Sequence, residues 1–208
     1  MNIILIAPPA AGKGTQSALI CEKYNMEHIS TGDLLREIVK ENSPLSKEIK
    51  EKMDKGLFID NDLIMKLISK KMENSGNYIF DGFPRNIEQA KLFDELLINI
   101  NKKIDYVIYL NIEKEQAIKR IENRLVCPSC GKVYNSQVSN ICDKCDLVLE
   151  KRTDDTLETF EKRFKIYDQE TKPIIEFYKN KGLLYEVDSS LDTIDVFKQI
   201  EKIVNIND

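Results

Sequence analysis

The first fifteen residues constrain the fold more than any other stretch of this chain. Residues 2–15 read NIILIAPPAAGKGT, an apolar run followed by a loop of small residues. The unbroken branched run from Ile3 to Ile6 is typical of a strand that is buried on both faces of a parallel sheet. The loop then turns into a predicted helix. This strand–loop–helix start predicts an α/β fold.

The loop after this strand has the residue types of a phosphate-binding site. At Gly12 and Gly14 the backbone can turn N–H groups toward phosphate oxygens at a helix N-terminus. Lys13 supplies a mobile charge for the outer phosphates, and Thr15 supplies a hydroxyl near a metal. The pattern is imperfect, because the G-x-x-x-x-G-K template expects glycine where this chain has Ala7. The loop alone therefore favours nucleotide binding over an ordinary strand-to-helix turn.

Size and charge limit the classes of protein to which the chain can belong. Its 208 residues suit one α/β domain with modest insertions. The formal charge of −4 argues against a nucleic-acid binder, since no basic stripe would follow a phosphate backbone. No apolar run is long enough to span a membrane, and the start lacks the features of an export signal. We therefore expect a cytoplasmic protein with reduced cysteines.

Strand-like and helix-like segments alternate along the chain. This pattern predicts a parallel sheet of about five strands flanked by helices. The predicted strands are Asn2–Ile6, a weaker piece around His28–Ile29, Tyr78–Phe80, Tyr106–Leu110 and Leu183–Val187. The predicted helices cover residues 13–24, 31–41, 46–55, 61–73, 87–98, 113–125, 155–180 and 192–204. Residues 127–150 contain cysteines and short apolar alternation, and are predicted to form a small β-rich insertion.

Four of the five cysteines form two C-x-x-C pairs. Cys127 and Cys130 form the first pair, and Cys142 and Cys145 form the second after eleven intervening residues. Two such pairs complete a tetrahedral site, which suits zinc best and accepts iron as a substitute. Four protein ligands indicate a structural metal that supplies folding energy to an insertion too small for its own core. Disulfides or free thiols are the alternative, and Cys21 is predicted to be a core residue.

A second phosphate-binding pattern follows the third predicted strand. Residues 78–85 read YIFDGFPR, which places Asp81 at the end of the strand and Arg85 just beyond it. The carboxyl ends of parallel strands meet at one edge of the sheet, so Asp81 would face the same cleft as Lys13. There it could hold water on Mg²⁺, while Arg85 would contact a phosphate. Capping of a helix is the alternative role for Asp81.

Together these motifs resemble those of the adenylate kinase family, in order and across nearly the whole chain. The matching segments are Gly12–Thr15, Ser30–Arg36, Asp81–Arg85, Arg120-x-x-x-Arg124, the four-cysteine insertion and Arg152-x-Asp154-Asp155 followed by Arg163. The insertion is similar to the long, zinc-bearing lid of many bacterial members. The resemblance implies the P-loop nucleoside monophosphate kinase architecture, an α/β fold with two mobile insertions. Its parts are a core of residues 1–29, 60–126 and 151–208, an AMP-binding insertion at 30–59 and a lid at 127–150.

The same resemblance implies an activity and its partners. The expected reaction is the reversible, Mg²⁺-dependent phosphoryl transfer ATP + AMP = 2 ADP, carried out by a monomer whose lid and AMP-binding insertion close over the cleft. Only six of the 31 basic residues are arginine, and each falls on a position that the family uses around the phosphates. Bidentate phosphate recognition requires a guanidinium, for which the ammonium of lysine is no substitute. Solvated surface charge is the alternative for any one arginine.

The resemblance assigns roles to individual residues. The implied catalytic residues are Lys13, Asp81, Arg85, Arg124, Arg152 and Arg163. The implied ATP-binding residues are Ala10, Ala11, Gly12, Lys13, Gly14, Thr15, Arg120, Arg124 and Tyr134. The implied AMP-binding residues are Thr31, Gly32, Arg36, Leu57, Phe58, Ile59, Gly82, Arg85, Gln89, Arg152 and Arg163. Asp154 and Asp155 would orient lid arginines or form an acidic helical first turn, and His28 is predicted to flank a strand without a catalytic role.

The chain departs from the family pattern in its loop and near its end. The family usually has glycine at the positions of Ala7 and Ala10, and commonly has glycine where this chain has serine after Asp188. If Ala10 requires a positive φ, alanine costs about 1 kcal/mol. Three alternatives therefore stay open: a related kinase that uses UMP, CMP or GTP, a weakly catalytic nucleotide-binding protein, and a zinc-ribbon interaction module.

Overall fold

A parallel sheet of five strands lies at the centre of the computed structural model, which describes residues 1–41, 43–54, 59–72, 76–152 and 155–205. The strands of the chain are β1 (Asn2–Ile6), β2 (Glu27–Ser30), β3 (Tyr78–Asp81), β4 (Tyr106–Asn111), β5 (Arg124–Val126), β6 (Val133–Asn135) and β7 (Leu184–Asp188). The spatial order of the central sheet is β2-β3-β1-β4-β7, and every neighbouring pair is parallel. The predicted α/β fold is confirmed.

Strand β1 occupies the middle of this sheet because both of its faces are apolar. Ile4 and Ile6 pack into an apolar cluster on one face, and Ile3 and Leu5 pack into a second cluster on the other face. None of these four side chains is more than 2% exposed. Successive side chains of a strand point to opposite faces, so an unbroken apolar run requires a cover on both sides.

Helices supply that cover. They are α1 (Lys13–Tyr24), α2 (Thr31–Lys40), α3 (Pro44–Asp54), α4 (Asn61–Lys71), α5 (Ile87–Asn99), α6 (Lys114–Glu122), α7 (Leu157–Ile166), α8 (Pro173–Asn180) and α9 (Thr193–Val204). Five of the described helices begin after a side chain that accepts a hydrogen bond from the first turn, as favoured caps do: Ser30, Ser43, Asp60, Asn86 and Thr156. Among the described helices none has the length and apolar character needed to cross a membrane.

The largest differences between the predicted and the observed helices lie at two places. The helix predicted over 113–125 ends at Glu122, because Arg124 already belongs to strand β5. The long helix predicted over 155–180 is divided by a π-helical turn at Tyr167–Thr171. Within that turn the N–H of Lys172 donates to the carbonyl of Tyr167 at 2.8 Å. The next residue, Pro173, has no N–H to continue a regular ladder, which explains why the helical pattern changes there.

The cysteine-containing segment is built from short β pairings, as predicted. Strands β5 and β6 pair in antiparallel fashion, and single bridges join Val126 to Glu150 and Ile141 to Val148. Its buried cluster contains only four residues, of which two are cysteines: Leu125, Cys127, Cys142 and Leu149. Such a small cluster is too little to stabilise the segment alone, and a bound metal would supply additional stability.

Candidate active site

The loop between β1 and α1 has the backbone of an anion-binding turn. Gly12, at φ 87°, immediately precedes α1, and no side chain caps that helix end. The first turn contains no acidic residue, so the N–H groups at its start present positive potential to the cleft. Ala10 also has a left-handed backbone, at φ 64°. The strain expected for alanine at this position is therefore present in the fold.

Asp81 is the acidic centre of the cleft, at the carboxyl end of β3. The Nζ atom of Lys13 lies 3.5 Å from Oδ1 of Asp81, and Nε2 of His28 lies 3.3 Å from Oδ2. Burial opposes ionisation of this carboxyl, but the charge of Lys13 and the hydrogen bond from His28 outweigh it. Together they lower the pKa of Asp81 to about 2. Asp81 is therefore a carboxylate at neutral pH.

The contact between His28 and Asp81 was not predicted from the sequence. His28 was expected only to flank a strand, and it does lie in β2. The register pairs Ser30 with Asp81 and His28 with Ile79, so His28 and Asp81 occupy diagonal positions on the same face of paired strands. The proximity of the two residues can be predicted only when the pairing of β2 with β3 is known.

The predicted AMP side begins where β2 turns into α2. Thr31 is buried, and its hydroxyl donates to the carbonyl of Gly82 at 3.0 Å. The guanidinium of Arg36 pairs with Asp33 and lies over Gly32. A Cβ at Gly32 would come within 3.3 Å of two Arg36 nitrogens. Glycine at this position therefore allows Arg36 to approach the backbone closely.

Arg85 and Gln89 continue this side of the cleft. Nε of Arg85 donates to the carbonyl of Gly82 at 2.8 Å, and the Arg85 N–H donates to Oε1 of Gln89 at 2.8 Å. Arg85 remains exposed, but the protein atoms packed around its guanidinium lower its pKa, and the charges of Arg163 and Arg36 add to this while Asp81 opposes it. The charges of Arg36 and Arg163 are therefore near enough to influence the ionisation of Arg85.

Arg120, which was predicted to bind ATP, lies against the loop between β1 and α1. Its Nη2 donates to the carbonyl oxygens of Ser189 at 2.6 Å and Leu191 at 3.3 Å. A Cβ at Gly12 would be 3.7 Å from Nη1 of Arg120. The guanidinium is thus held between the loop after β7 and the start of α1.

Arg124 lies at the base of the cysteine-containing segment and forms a two-point ion pair. Its Nε donates to Oδ2 of Asp155 at 2.6 Å, and its Nη2 pairs with Oδ1. The Asp155 side chain is 1% exposed and that of Arg124 is 17% exposed, so the pair is shielded from water. Such a planar, bidentate contact fixes the orientation of Arg124, which is the role that the resemblance implied for Asp155.

The four predicted metal ligands form two matching turns. In the first, the N–H of Gly131 donates to the carbonyl of Cys127 at 2.9 Å, and in the second the N–H of Asp146 donates to that of Cys142 at 3.0 Å. Gly131 and Asp146, each directly after the second cysteine of its pair, have φ values of 71° and 53°. Each turn therefore presents both of its sulfurs to a common point.

The spacing of these sulfurs fits a tetrahedral metal. All four Sγ atoms lie within 4.8 Å of one another, and those of Cys130 and Cys142 are 3.7 Å apart. Zn–S bonds of about 2.3 Å require sulfurs about 3.8 Å apart. The cluster can therefore bind a metal through its four sulfurs.

Tyr134 lies beside this cluster. Its hydroxyl is 3.2 Å from Sγ of Cys142 and donates to the Asp143 carboxylate, which pairs with Lys132 at 2.7 Å. Of the other predicted residues, Ile59 is buried. Leu57, Phe58 and Asp154 lie outside the described residues.

Known proteins resemble this chain over nearly its whole length. A sequence profile described as Adenylate kinase matches residues 5–183. The chain belongs to the adenylate kinase family. The adenylate kinase of Archaeoglobus fulgidus is 42% identical over 98% of this chain and 98% of its own length. That of Kosmotoga olearia is 41% identical over 98% and 100%, and that of Caldanaerobacter subterraneus subsp. tengcongensis is 39% identical over 97% and 95%.

Membership of the adenylate kinase family makes this chain a phosphotransferase, as the sequence motifs predicted. Adenylate kinases bind ATP and AMP, use Mg²⁺ with ATP and form ADP. The comparisons do not favour the alternatives of a different nucleoside monophosphate kinase or an interaction module.

Proposed function

We propose that this adenylate kinase performs the transfer ATP + AMP = 2 ADP in the cleft at the carboxyl edge of the sheet. The observation that carries the proposal is the ion pair between Lys13, the first residue of α1, and Asp81 at the carboxyl end of β3, with Arg85 four residues further along the chain. Phosphoryl transfer depends on positioning and on positive donors rather than on covalent chemistry by the protein. This cleft supplies donors of that kind.

The ATP phosphates would lie against the start of α1. The N–H groups around Gly12 and Gly14 would donate to phosphate oxygens, and Lys13 would bind the outer phosphates. Asp81 holds the ammonium of Lys13 within 3.5 Å and would also accept hydrogen bonds from water on the metal. Bound Mg²⁺ neutralises phosphate charge and aligns the oxygens for transfer. Arg120 would contact the donor nucleotide from its position over the loop.

AMP would lie across β2 and β3. Arg36 and Arg85 would bind its phosphate, and the two side chains already act on one another electrostatically. Gln89 would read adenine, and its Nε2 already donates to Asn61 at 2.9 Å. Thr31 and the backbone of residues 57–59 would complete the AMP side.

The remaining arginines would surround the transferred group. Arg124 and Arg152 come just before and just after the proposed lid in the sequence, and Arg163 lies on α7. The ion pair with Asp155 orients Arg124. A fixed guanidinium costs no reorganisation when charge develops on the phosphoryl oxygens. This arrangement requires neither a general base nor a covalent intermediate on the protein.

Two segments would close over bound nucleotides. We assign residues 30–59 as the AMP-binding insertion, residues 127–150 as the lid and the remainder as the core. Closure excludes water, which would otherwise compete with AMP for the phosphoryl group. Because one chain supplies both nucleotide sides, we expect the active form to be a monomer.

We assign the metal of the lid as structural zinc. Four thiolates leave no open position for a substrate, and the sulfur spacing matches a tetrahedral ion. Metal analysis of the purified protein should find about one zinc per chain. A chain free of metal with full thermal stability would contradict this assignment.

Replacement of Arg163 by lysine tests the active-site assignment. Arg163→Lys keeps the charge but removes the planar donor, so kcat should fall about 100-fold or more, while the fold is preserved. Lys165→Arg on the same helix is the matched control and should keep the kcat of the unaltered protein. The assay measures ADP from ATP and AMP with Mg²⁺, and is repeated with UMP, CMP and GTP.

The same assay contains the decisive control. Lys13→Ala should abolish most turnover, because the outer phosphates lose their mobile positive charge. If the unaltered protein shows no turnover above Lys13→Ala, the proposed activity is wrong. Faster turnover with UMP or CMP than with AMP would instead show that the enzyme prefers another acceptor nucleotide.

A further inference from the structure

The phosphate loop contains a residue that adopts an unfavourable backbone conformation. Ala10 has φ 64°, in the left-handed region where a Cβ crowds the neighbouring carbonyl. Glycine adopts this region freely, whereas alanine prefers to leave it. A loop with alanine at this position therefore needs another contact to hold its shape.

Such a contact comes from the other end of the chain. Ser189, in the loop after β7, is 1% exposed. Its hydroxyl donates a hydrogen bond to the carbonyl of Ala11, although 178 positions separate the two residues. The same hydroxyl accepts from Nη1 of Arg120 at 3.4 Å, while the Ser189 carbonyl accepts from Nη2 at 2.6 Å. One buried serine thus links the phosphate loop to the arginine that lies against it.

The acceptor in this hydrogen bond has a direct consequence for phosphate binding. The carbonyl of Ala11 and the N–H of Gly12 belong to one planar peptide unit, in which the two groups point in opposite directions. Because Ser189 holds the carbonyl on one side, the N–H of Gly12 is directed away from Ser189. That N–H is one of the donors at the start of α1.

We propose that Ser189 is a positioning residue for ATP, which compensates for alanine at position 10 by fixing the peptide between Ala11 and Gly12 and by supporting Arg120. This inference rests on the proposed function, because it assumes that the loop binds ATP phosphates. Ser189 acts through Gly12 and Arg120, and within the described part of the chain it makes no hydrogen bond to a residue predicted to bind AMP. Its loss should therefore weaken ATP binding selectively.

The first test is the variant Ser189→Ala, assayed with each nucleotide varied at saturating concentration of the other. Loss of one net hydrogen bond is expected to raise KM for ATP about fivefold. KM for AMP should stay within about twofold, and so should kcat, because the acceptor side and the transferring arginines are unchanged. The matched control is Ser190→Ala, an exposed neighbour, which should leave both KM values unchanged.

The second test separates loop positioning from simple packing. Ser189→Cys keeps a side chain that fills the site but replaces the hydroxyl by a thiol, which donates weakly, so its KM for ATP should resemble that of Ser189→Ala. Addition of Ala10→Gly to Ser189→Ala should return KM for ATP to within about twofold of the unaltered protein, because glycine needs no anchor to stay left-handed.

The possible outcomes distinguish this inference from the proposed function. Equal KM values for ATP in Ser189→Ala and the unaltered protein would overturn it, as would an equal rise in both KM values. A lower Tm with unchanged KM for ATP would also overturn it, since that result describes a merely structural serine. Failure of Ala10→Gly to rescue Ser189→Ala would refute the compensation. Absence of turnover in the unaltered protein would refute the proposed function instead.

Discussion

Acidification should lower the free energy of unfolding of this protein, and part of that decrease should come from protonation of Asp81. Burial disfavours the ionised form of this carboxyl, but Lys13 and His28 favour it more strongly, and its pKa falls from 3.8 to about 2 on folding. Since the pKa is lowered in the native state, the stabilisation is fully present well above the unfolded pKa. It is lost as the pH falls toward the native pKa.

The size of this effect follows from the two pKa values. At neutral pH the lowered pKa corresponds to about 2 kcal/mol of unfolding free energy, and about 1 kcal/mol of this is lost between pH 6 and pH 3. The Asp81 side chain is only 13% exposed, so screening by solvent removes little of it. The perturbation is Asp81→Asn, which cannot titrate. The difference in unfolding free energy between the two proteins should therefore narrow by about 1 kcal/mol over this range.

Urea unfolding without nucleotide or metal, followed at pH 6, 5, 4 and 3 at constant ionic strength, measures this difference. Other carboxyl groups titrate in both proteins, so their contributions cancel in the comparison. Lys13→Met, which removes the main attractive charge, should raise the Asp81 pKa and thereby flatten the pH dependence attributed to this carboxyl. Parallel stability curves for the unaltered protein and Asp81→Asn would refute the reasoning, because they would mean that Asp81 binds protons equally in both states.

Two further predictions concern the lid. Cys142→Ser should lower Tm by about 5 °C or more through loss of the metal, with KM for AMP unchanged, and chelation should reproduce this loss in the unaltered protein; an unchanged Tm would contradict the structural role. Tyr134→Phe removes the hydroxyl beside Cys142 and should speed zinc release to a competing chelator about tenfold or more. Tyr106→Phe, whose lost hydrogen bond to Val204 is remote from the lid, should release zinc at the unaltered rate; equal rates in both variants would refute the outer-sphere role of Tyr134.

Much of the architecture could be predicted because its signals are local. The apolar run in β1 required cover on both faces, and the structure buries Ile3 to Ile6 accordingly. The boundaries were less predictable where two structures competed for the same residues. The helix before Arg124 ended early because β5 pairs with β6, and periodicity alone contains no information about that pairing.

At Ala10 the backbone strain could be predicted from the sequence, but the contact that stabilises the strained loop could not. A loop template could indicate that alanine would be strained there, and the structure has φ 64° at that residue. The template could not indicate what stabilises the strained loop, because Ser189 lies 178 positions away. In the same way, the role of His28 depended on a strand register that no local pattern encodes.

The family, the parallel α/β fold and the two cysteine pairs could be read from the sequence, because strand burial, loop composition and ligand spacing depend on residues that are close along the chain. Contacts between distant groups became visible only in the folded structure. Asp81 with His28, Arg124 with Asp155 and Ser189 with Ala11 all join segments at least 31 positions apart. Such contacts form when packed elements bring these groups together, and the resulting burial and charge set the chemistry of the cleft.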